Sequence, residues 1–318
     1  MSVSQASISQ ALTSYVLQGL AKRTDFVGLE VAPEHGQDKL DGEYPVVALA
    51  NGEMLRNNTA PRAPGALFKR IEAKIGLETT KLSGDGLEIP IPIEVARNSD
   101  IPIIGVYAEE AMLNSMRLHE TRVAAISQGT GFDTVASTAA YTTANIATSD
   151  LAMDIQLGID RVRDRGEYPD TIVIPQAVWT RQRFSTKLAA FIVGANGAGA
   201  MVTVSNLQKA FADEGIKRVL IGRSQINTAA KGKVDIGQIW ANTHIWIGAG
   251  RDADTNAPGD SMRTAIKTFF WREIFNAPFF VEQYFEKKIE SDIIRAWGYT
   301  NEKLVNARAG TRITTQYS

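Results

Sequence analysis

Apolar residues recur at helical spacing in three stretches and at strand spacing in several others. Ile8, Leu12, Tyr15, Val16 and Leu20 predict a short amphipathic helix over 5–20, ending near Gly19. It could pack on its own domain or on a neighbouring molecule. The longest helical pattern covers 103–128, with Ser99 and Asp100 placed where an N-cap would precede it. Met112, Met116 and Val123 share a face, flanked by Leu113 and Ile126 and interrupted by Glu109 and Glu120. Such an uneven stripe suits a helix that packs on a sheet and also reaches solvent or a second subunit. In the third stretch Ser149 or Asp150 caps a helix whose Leu151, Ile155, Ile159 and Val162 form one face, and Gly166 closes it.

A buried strand, TIVIP (171–175), follows that helix, with a further helix through Trp179. SNLQKAFADEG (205–215) and KRVLIG (217–222) repeat the helix-then-strand order. Strand patterns return at 238–249, 262–271 and 279–299. Residues 83–102 alternate apolar side chains with proline and predict extended, non-helical chain. The small residues of 129–148 read as a connector. The whole is an α+β chain with a compact middle section and a strand-rich end.

One stretch stands outside any core. YPVVALA (44–50) and RIEAKIGLETTKL (70–82) are strand-like and flank LRNNTAPRAPGALFKR (55–70), a polar, proline-broken basic tip. A two-stranded ribbon is marginally stable alone in water, so this one must lie on something.

Composition narrows the function. Lysine and arginine number 34 against 35 acidic residues, a net charge of −1, so the basic excess of a dedicated nucleic-acid binder is missing. The chain has no cysteine, which excludes disulfides, thiolate catalysis and cysteine metal sites. No lysine or arginine precedes Lys22, unlike a secretory signal, and no apolar run is long enough to span a bilayer. His35, His119 and His244 are isolated, which does not support a metal centre. RDADTNAPGD (251–260) matches the first calcium-loop ligands with Asp252, Asp254 and Asn256, but Ala257 and Arg263 stand where glycine and glutamate are required. VGANGAGAM (193–201) lacks the lysine and hydroxyl of a phosphate loop, and no clear strand–helix–strand unit holds it. No G-x-S-x-G elbow occurs. The residues therefore nominate no catalytic group, cofactor or metal.

Several features occur in one order: GEYPV (42–46), MLR…RAPG (54–65), the long helix, YPDTIVIPQAVW (168–179) and a closing VLIG…IW…W section. This order resembles the major capsid proteins of tailed double-stranded-DNA bacteriophages, the Hong Kong-phage capsid fold, across essentially the whole chain. The resemblance implies an N-terminal arm at 1–38 and an extended loop at 39–90. It implies a peripheral domain from 91–149 and 262–318 with a spine helix at about 103–128, and an axial domain at 150–261. It further implies a non-enzymatic shell subunit that forms pentamers and hexamers, resides in the virion capsid, and is assembled in the bacterial host cytoplasm. Arg56, Arg62, Lys69 and Arg70 on the loop become candidates for intersubunit contact. With about 38 residues before the loop, a separate scaffolding protein is expected, with a portal and a possible decoration protein. Packaged DNA would be contacted weakly and without sequence specificity, and no membrane is involved. Some members join subunits through a Lys–Asn bond, for which Lys69, Lys81, Asn301 and Asn306 are available. Two alternatives stay open, an encapsulin-type nanocompartment shell and a small-molecule enzyme using a pocket of convergent polar groups.

Overall fold

The longest strand organises one end of the molecule. The computed structural model describes residues 13, 16, 23–46, 61, 64, 65, 67, 76–194, 201–250, 263–274 and 276–317. Strand β13 (Ser291–Leu304) pairs with β12 (Phe280–Glu286) over its first half and with β11 (Ile266–Trp271) over its last residues. Strand β1 (Glu34–Gln37) adds in parallel to β11. Along the other side of β13 runs β4 (Ser83–Pro92), in unbroken register from Ser83↔Thr300 to Pro92↔Ser291. Alternation sends Ile294 and Ala296 to one face, while Trp297 and Tyr299 point to the other.

Helix α3 (Ile103–Ser127) covers the first of these faces. Its Ala108, Ala111, Met112 and Leu113 pack with Ile91, Val281, Ile294 and Ala296. The helix begins where the apolar pattern does, but its N-cap is Pro102 and no side chain caps it. The Ser99 hydroxyl instead accepts from the Ile101 amide, in the turn after α2 (Ile93–Asn98). That short helix corrects the expectation of extended chain across 83–102. Proline at 92 fixes φ at a helix-compatible value and lacks only an amide that an N-terminus leaves unused.

A second sheet has the order β5-β14-β10-β6-β7. Strands β6 (Thr171–Pro175) and β7 (Arg218–Gly222) are parallel, joined through α5 (Gln176–Gln182), α6 (Thr186–Val193) and α7 (Val204–Ala210). The glycine-rich 193–201 segment therefore does lie inside a strand–helix–strand unit, contrary to the sequence reading. It falls between two helices, however, and not at the strand-to-helix turn that a phosphate site needs. Strand β10 (His244–Gly248) runs antiparallel to β6 and to β14 (Gly310–Thr314), and β5 (Asp133–Ala136) closes the sheet. Two of the five strands thus come from outside 150–261. Helix α4 (Leu151–Arg163) packs Leu151, Ile155, Ile159 and Val162, all fully buried, and Asp150 accepts from Met153 N at 3.1 Å.

Two small ribbons stand apart from both sheets. Among the described residues strand β2 (Asp41–Val46) pairs only with β3 (Gly76–Lys81), and β8 (Gln225–Asn227) only with β9 (Ile236–Gln238). A four-residue helix, α1 (Gly28–Val31), lies between the sheets, where Val27, Val31, Val123, Trp240 and Trp246 form a joint core.

Candidate assembly surfaces

The ribbon β2–β3 is held at its base by one aromatic anchor. Tyr44 is 4% exposed, its ring centroid is 5.0 Å from that of Phe269, and Leu82 and Val305 complete the cluster. Its hydroxyl donates to Glu78 across the ribbon at 3.0 Å, and burial beside that carboxylate pushes the phenol pKa up. The Leu82 amide donates to Leu40 O, and Trp271 Nε1 to Asp38 O. Beyond this base contact thins, because β3 shows five of its six residues exposed, with Leu77 at 66%. The candidate contacts Arg56, Arg62, Lys69 and Arg70 lie outside the described residues. The acidic 251–260 loop does as well, along with 195–200 of the glycine-rich segment.

At the other end, Thr13 Oγ1 exchanges hydrogen bonds of 3.1 Å with the amide and carbonyl of Val281. Val16 is buried against the core beneath α3. These two residues pack on the chain's own first sheet. The asparagines considered for cross-linking have structural partners. Asn301 donates to Lys81 O at 2.8 Å, while Asn306 is buried, accepts from Arg308 N and donates to Glu167.

Glu120, which interrupts the apolar stripe of α3, is buried where α1, α3 and the second sheet meet. Its carboxylate accepts from Val27 N, Gly28 N at 2.6 Å, Trp240 Nε1 at 2.6 Å and Ser224 Oγ at 3.3 Å. Burial pushes its pKa up, and these donors pull it back. A Cβ at 28 would lie 2.7 Å from Glu120 Oε2, so a larger residue there would have to displace the carboxylate from these donors.

A second polar cluster is built from neighbouring residues of the same helix. The Thr268 hydroxyl donates to Ala32 O, so the 2.8 Å contact with His119 Nε2 makes that nitrogen the donor. His119 is neutral, its pKa lowered to about 3 by burial and then by Arg122. Glu302 lies 3.8 Å from His119 Nε2 and 3.8 Å from an Arg122 nitrogen, and among the described residues its Oε1 accepts no hydrogen bond. Burial raises its pKa to about 7, opposed by Arg122. Arg122 also pairs with Asp85 on β4 at 2.7 Å. Sequence reading missed both clusters. Its only signal was Glu120, a carboxylate in an apolar stripe.

A cleft of about 540 Å³ opens between 166–170 and 214–217, lined also by Ala249 and Arg263. Its carboxylates are structural. Glu214 pairs with Arg163, Glu167 accepts from Asn306, and Asp170 Oδ1 accepts from Thr171 Oγ1 and Gly250 N at 2.7 Å each. Among the described residues no group of three or more His, Asp or Glu side chains could hold a metal. No described helix is long and apolar enough to cross a membrane.

No family model matches the chain, and no curated protein matches it. Solved structures do. A phage-related protein from Bordetella bronchiseptica RB50 shares 18% identity over 97% of this chain and 97% of its own, with a TM-score of 0.72. The capsid of cyanophage P-SCSP1u shares 11% identity over 93% of this chain and 89% of its own, at 0.58. A virus-like particle from Pyrococcus furiosus shares 9% identity over 96% and 98%, at 0.52. With a ribbon leaving its body at Tyr44, a long helix laid over one sheet and a second sheet joined through α1, the chain has the fold of the tailed-phage capsid proteins.

Proposed function

We propose that this chain is the major capsid subunit of a tailed bacteriophage, a structural protein that assembles into an icosahedral shell around double-stranded DNA. The observation that carries this reading is the likeness to a phage capsid along nearly the full length of both chains. The ribbon supports it, because a closed shell needs each subunit to touch several others through contacts that close on themselves. Each contact should be weak enough to correct, and many together make the shell stable.

In this reading 1–38 is the arm, 39–90 the loop, 91–149 with 262–318 the peripheral domain and 150–261 the axial domain. Arg56, Arg62, Lys69 and Arg70 meet acidic groups on a neighbour. Exposed pairs contribute about 0–1 kcal/mol each, so they set register more than strength. A scaffolding protein, a portal and packaged DNA are the partners, and the near-neutral charge suits a wall that does not grip DNA. The cleft near Asp170 takes no part in chemistry, since its acids are spent on the fold.

Electron microscopy and sedimentation of the purified protein, alone and with its scaffold, test the reading. Closed shells are expected. A strict monomer at high concentration in every condition would refute it. Particles filled with a protein cargo in place of DNA would assign the chain to nanocompartments instead.

A further inference from the structure

Strand β12 lies at a border of the first sheet. Its inner backbone groups pair with β13 in unbroken register from Phe280↔Trp297 to Glu286↔Ser291. Its outer groups are met at one residue. The Thr13 hydroxyl donates to Val281 O and accepts from Val281 N, each at 3.1 Å. Backbone groups alternate along an antiparallel strand, so Gln283 and Phe285 turn theirs outward as Val281 does. Among the described residues no strand pairs with this outer side. A chain added here would offer Val281 one carbonyl and one amide. Thr13 supplies the same acceptor and donor from a single oxygen, and no strand can pair at Val281 while it is there. Thr13 and Val281 are both fully buried, and Val16 is buried in the same cluster as Val281. Without the hydroxyl, two buried backbone groups would lose their partner. The edge carries no other guard. On the far side of β13, β4 holds Pro90 and Pro92, whereas β12 (FVEQYFE) has neither proline nor lysine and leaves Phe285 exposed.

We propose that Thr13 is a strand mimic that holds the β12 edge of the free subunit closed against pairing with β12 of a second copy. This closure belongs to the unassembled chain and does not depend on which particle that chain builds. The sequence of the edge selects the partner. Centred on Gln283, an antiparallel β12 from a second copy would set Val281 against Phe285, and Glu282 and Glu286 against Tyr284 and Phe280. Apolar residues would meet, and no carboxylate would oppose another. Such a pair is two-fold, with Val281 of each copy bonded to Phe285 of the other and the two Gln283 residues bonded together. A hydroxyl on both Val281 residues removes every bonded pair except the central one. Closing one residue therefore closes the edge.

Thr13→Val keeps the shape of the side chain and deletes the hydroxyl, while Thr13→Ser keeps the hydroxyl. Below the concentration at which native particles form, native and Thr13→Ser subunits should sediment as monomers with a protected Val281 amide. In dilute Thr13→Val that amide should exchange with solvent about fivefold faster, as expected for one lost hydrogen bond. Raising its concentration should produce dimers. The native chain has no cysteine, so Gln283→Cys reports the contact directly. The two 283 positions would face each other with Cα atoms about 5.5 Å apart, within disulfide reach. Under mild oxidation Thr13→Val/Gln283→Cys subunits should form a disulfide dimer about tenfold faster than Gln283→Cys subunits, because their edge is open more of the time. Equal Val281 exchange in all three proteins would overturn the proposal. So would Thr13→Val subunits that stay monomeric, or that associate without forming that disulfide.

Discussion

Glu302 gives the fold a measurable dependence on pH. Its carboxyl is buried with 1% side-chain exposure, and its pKa rises from 4.5 to about 7. The folded state therefore holds this proton more tightly than the unfolded chain does. The stability that the group contributes is complete below about 4.5 and is lost as pH rises through about 7. At about 1.36 kcal/mol per pH unit the difference is about 3 kcal/mol. His119 works in the opposite sense. Its pKa falls from 6.5 to about 3, so its contribution is present above 6.5 and is lost as pH falls toward 3. Between about 4.5 and 6.5 the two slopes oppose each other, and the native protein should change little for that reason. Glu302→Gln removes one slope. Urea unfolding of the unassembled subunit should show the variant gaining about 3 kcal/mol on the native chain between pH about 4.5 and 8. His119→Gln should gain in the other direction, as pH falls. A difference between Glu302→Gln and native protein that stays constant with pH would refute the reasoning.

Three other perturbations probe separate joints. Glu120→Ala leaves the amides of Val27 and Gly28 and the Trp240 indole without their acceptor, and should cost about 3–5 kcal/mol in urea unfolding. Tyr44→Ala should release the ribbon base while sparing the sheets. Protease should then cut between 47 and 75 faster, far-ultraviolet circular dichroism should be unchanged, and particle yield should fall. Gly298→Ala would place a Cβ against Pro278 O, and a loss of at least about 2 kcal/mol in thermal or urea unfolding is expected.

Helices α3, α4, α5 and α7 and the strand-rich end were legible because their information is local. Leu151, Ile155, Ile159 and Val162 repeat within one helix, and Asp150 caps it, so nothing distant was needed to read them. Strand β5 was hidden in the 129–148 connector because four residues, DTVA, carry too short a pattern, and its partner β14 is almost two hundred residues away. The single strand read across 238–249 breaks at Trp240, whose indole turns aside to Glu120. Helix α2 was concealed by the alternation of 83–92, which continues up to the proline that starts it. For the site, sequence named the ribbon from its flanks and its basic tip. It could not show which strand β4 pairs with, because β13 lies about two hundred residues further along the chain. The glycines at 84 and 86 were visible as letters, and their place opposite Tyr299 and Trp297, whose side chains fill the space of a Cβ, became readable only with the β13 register.

The two sheets differ in how they are held. The second is closed by an apolar core in which α4 meets β10 and β14 through Ile155, Ile159, Ile247 and Ile313. The joint between the sheets adds to its apolar core a set of directed polar contacts from one helix, Glu120 toward Trp240 and Ser224. Apolar packing tolerates sliding at modest cost, whereas a buried carboxylate loses its donors abruptly when geometry changes. A rotation of the second sheet relative to α3 would break the Trp240 and Ser224 bonds and leave those from Val27 and Gly28 in place. Glu120 would then be a half-satisfied buried acid beside an intact α1. The joint therefore favours one discrete arrangement of the two sheets over a continuum.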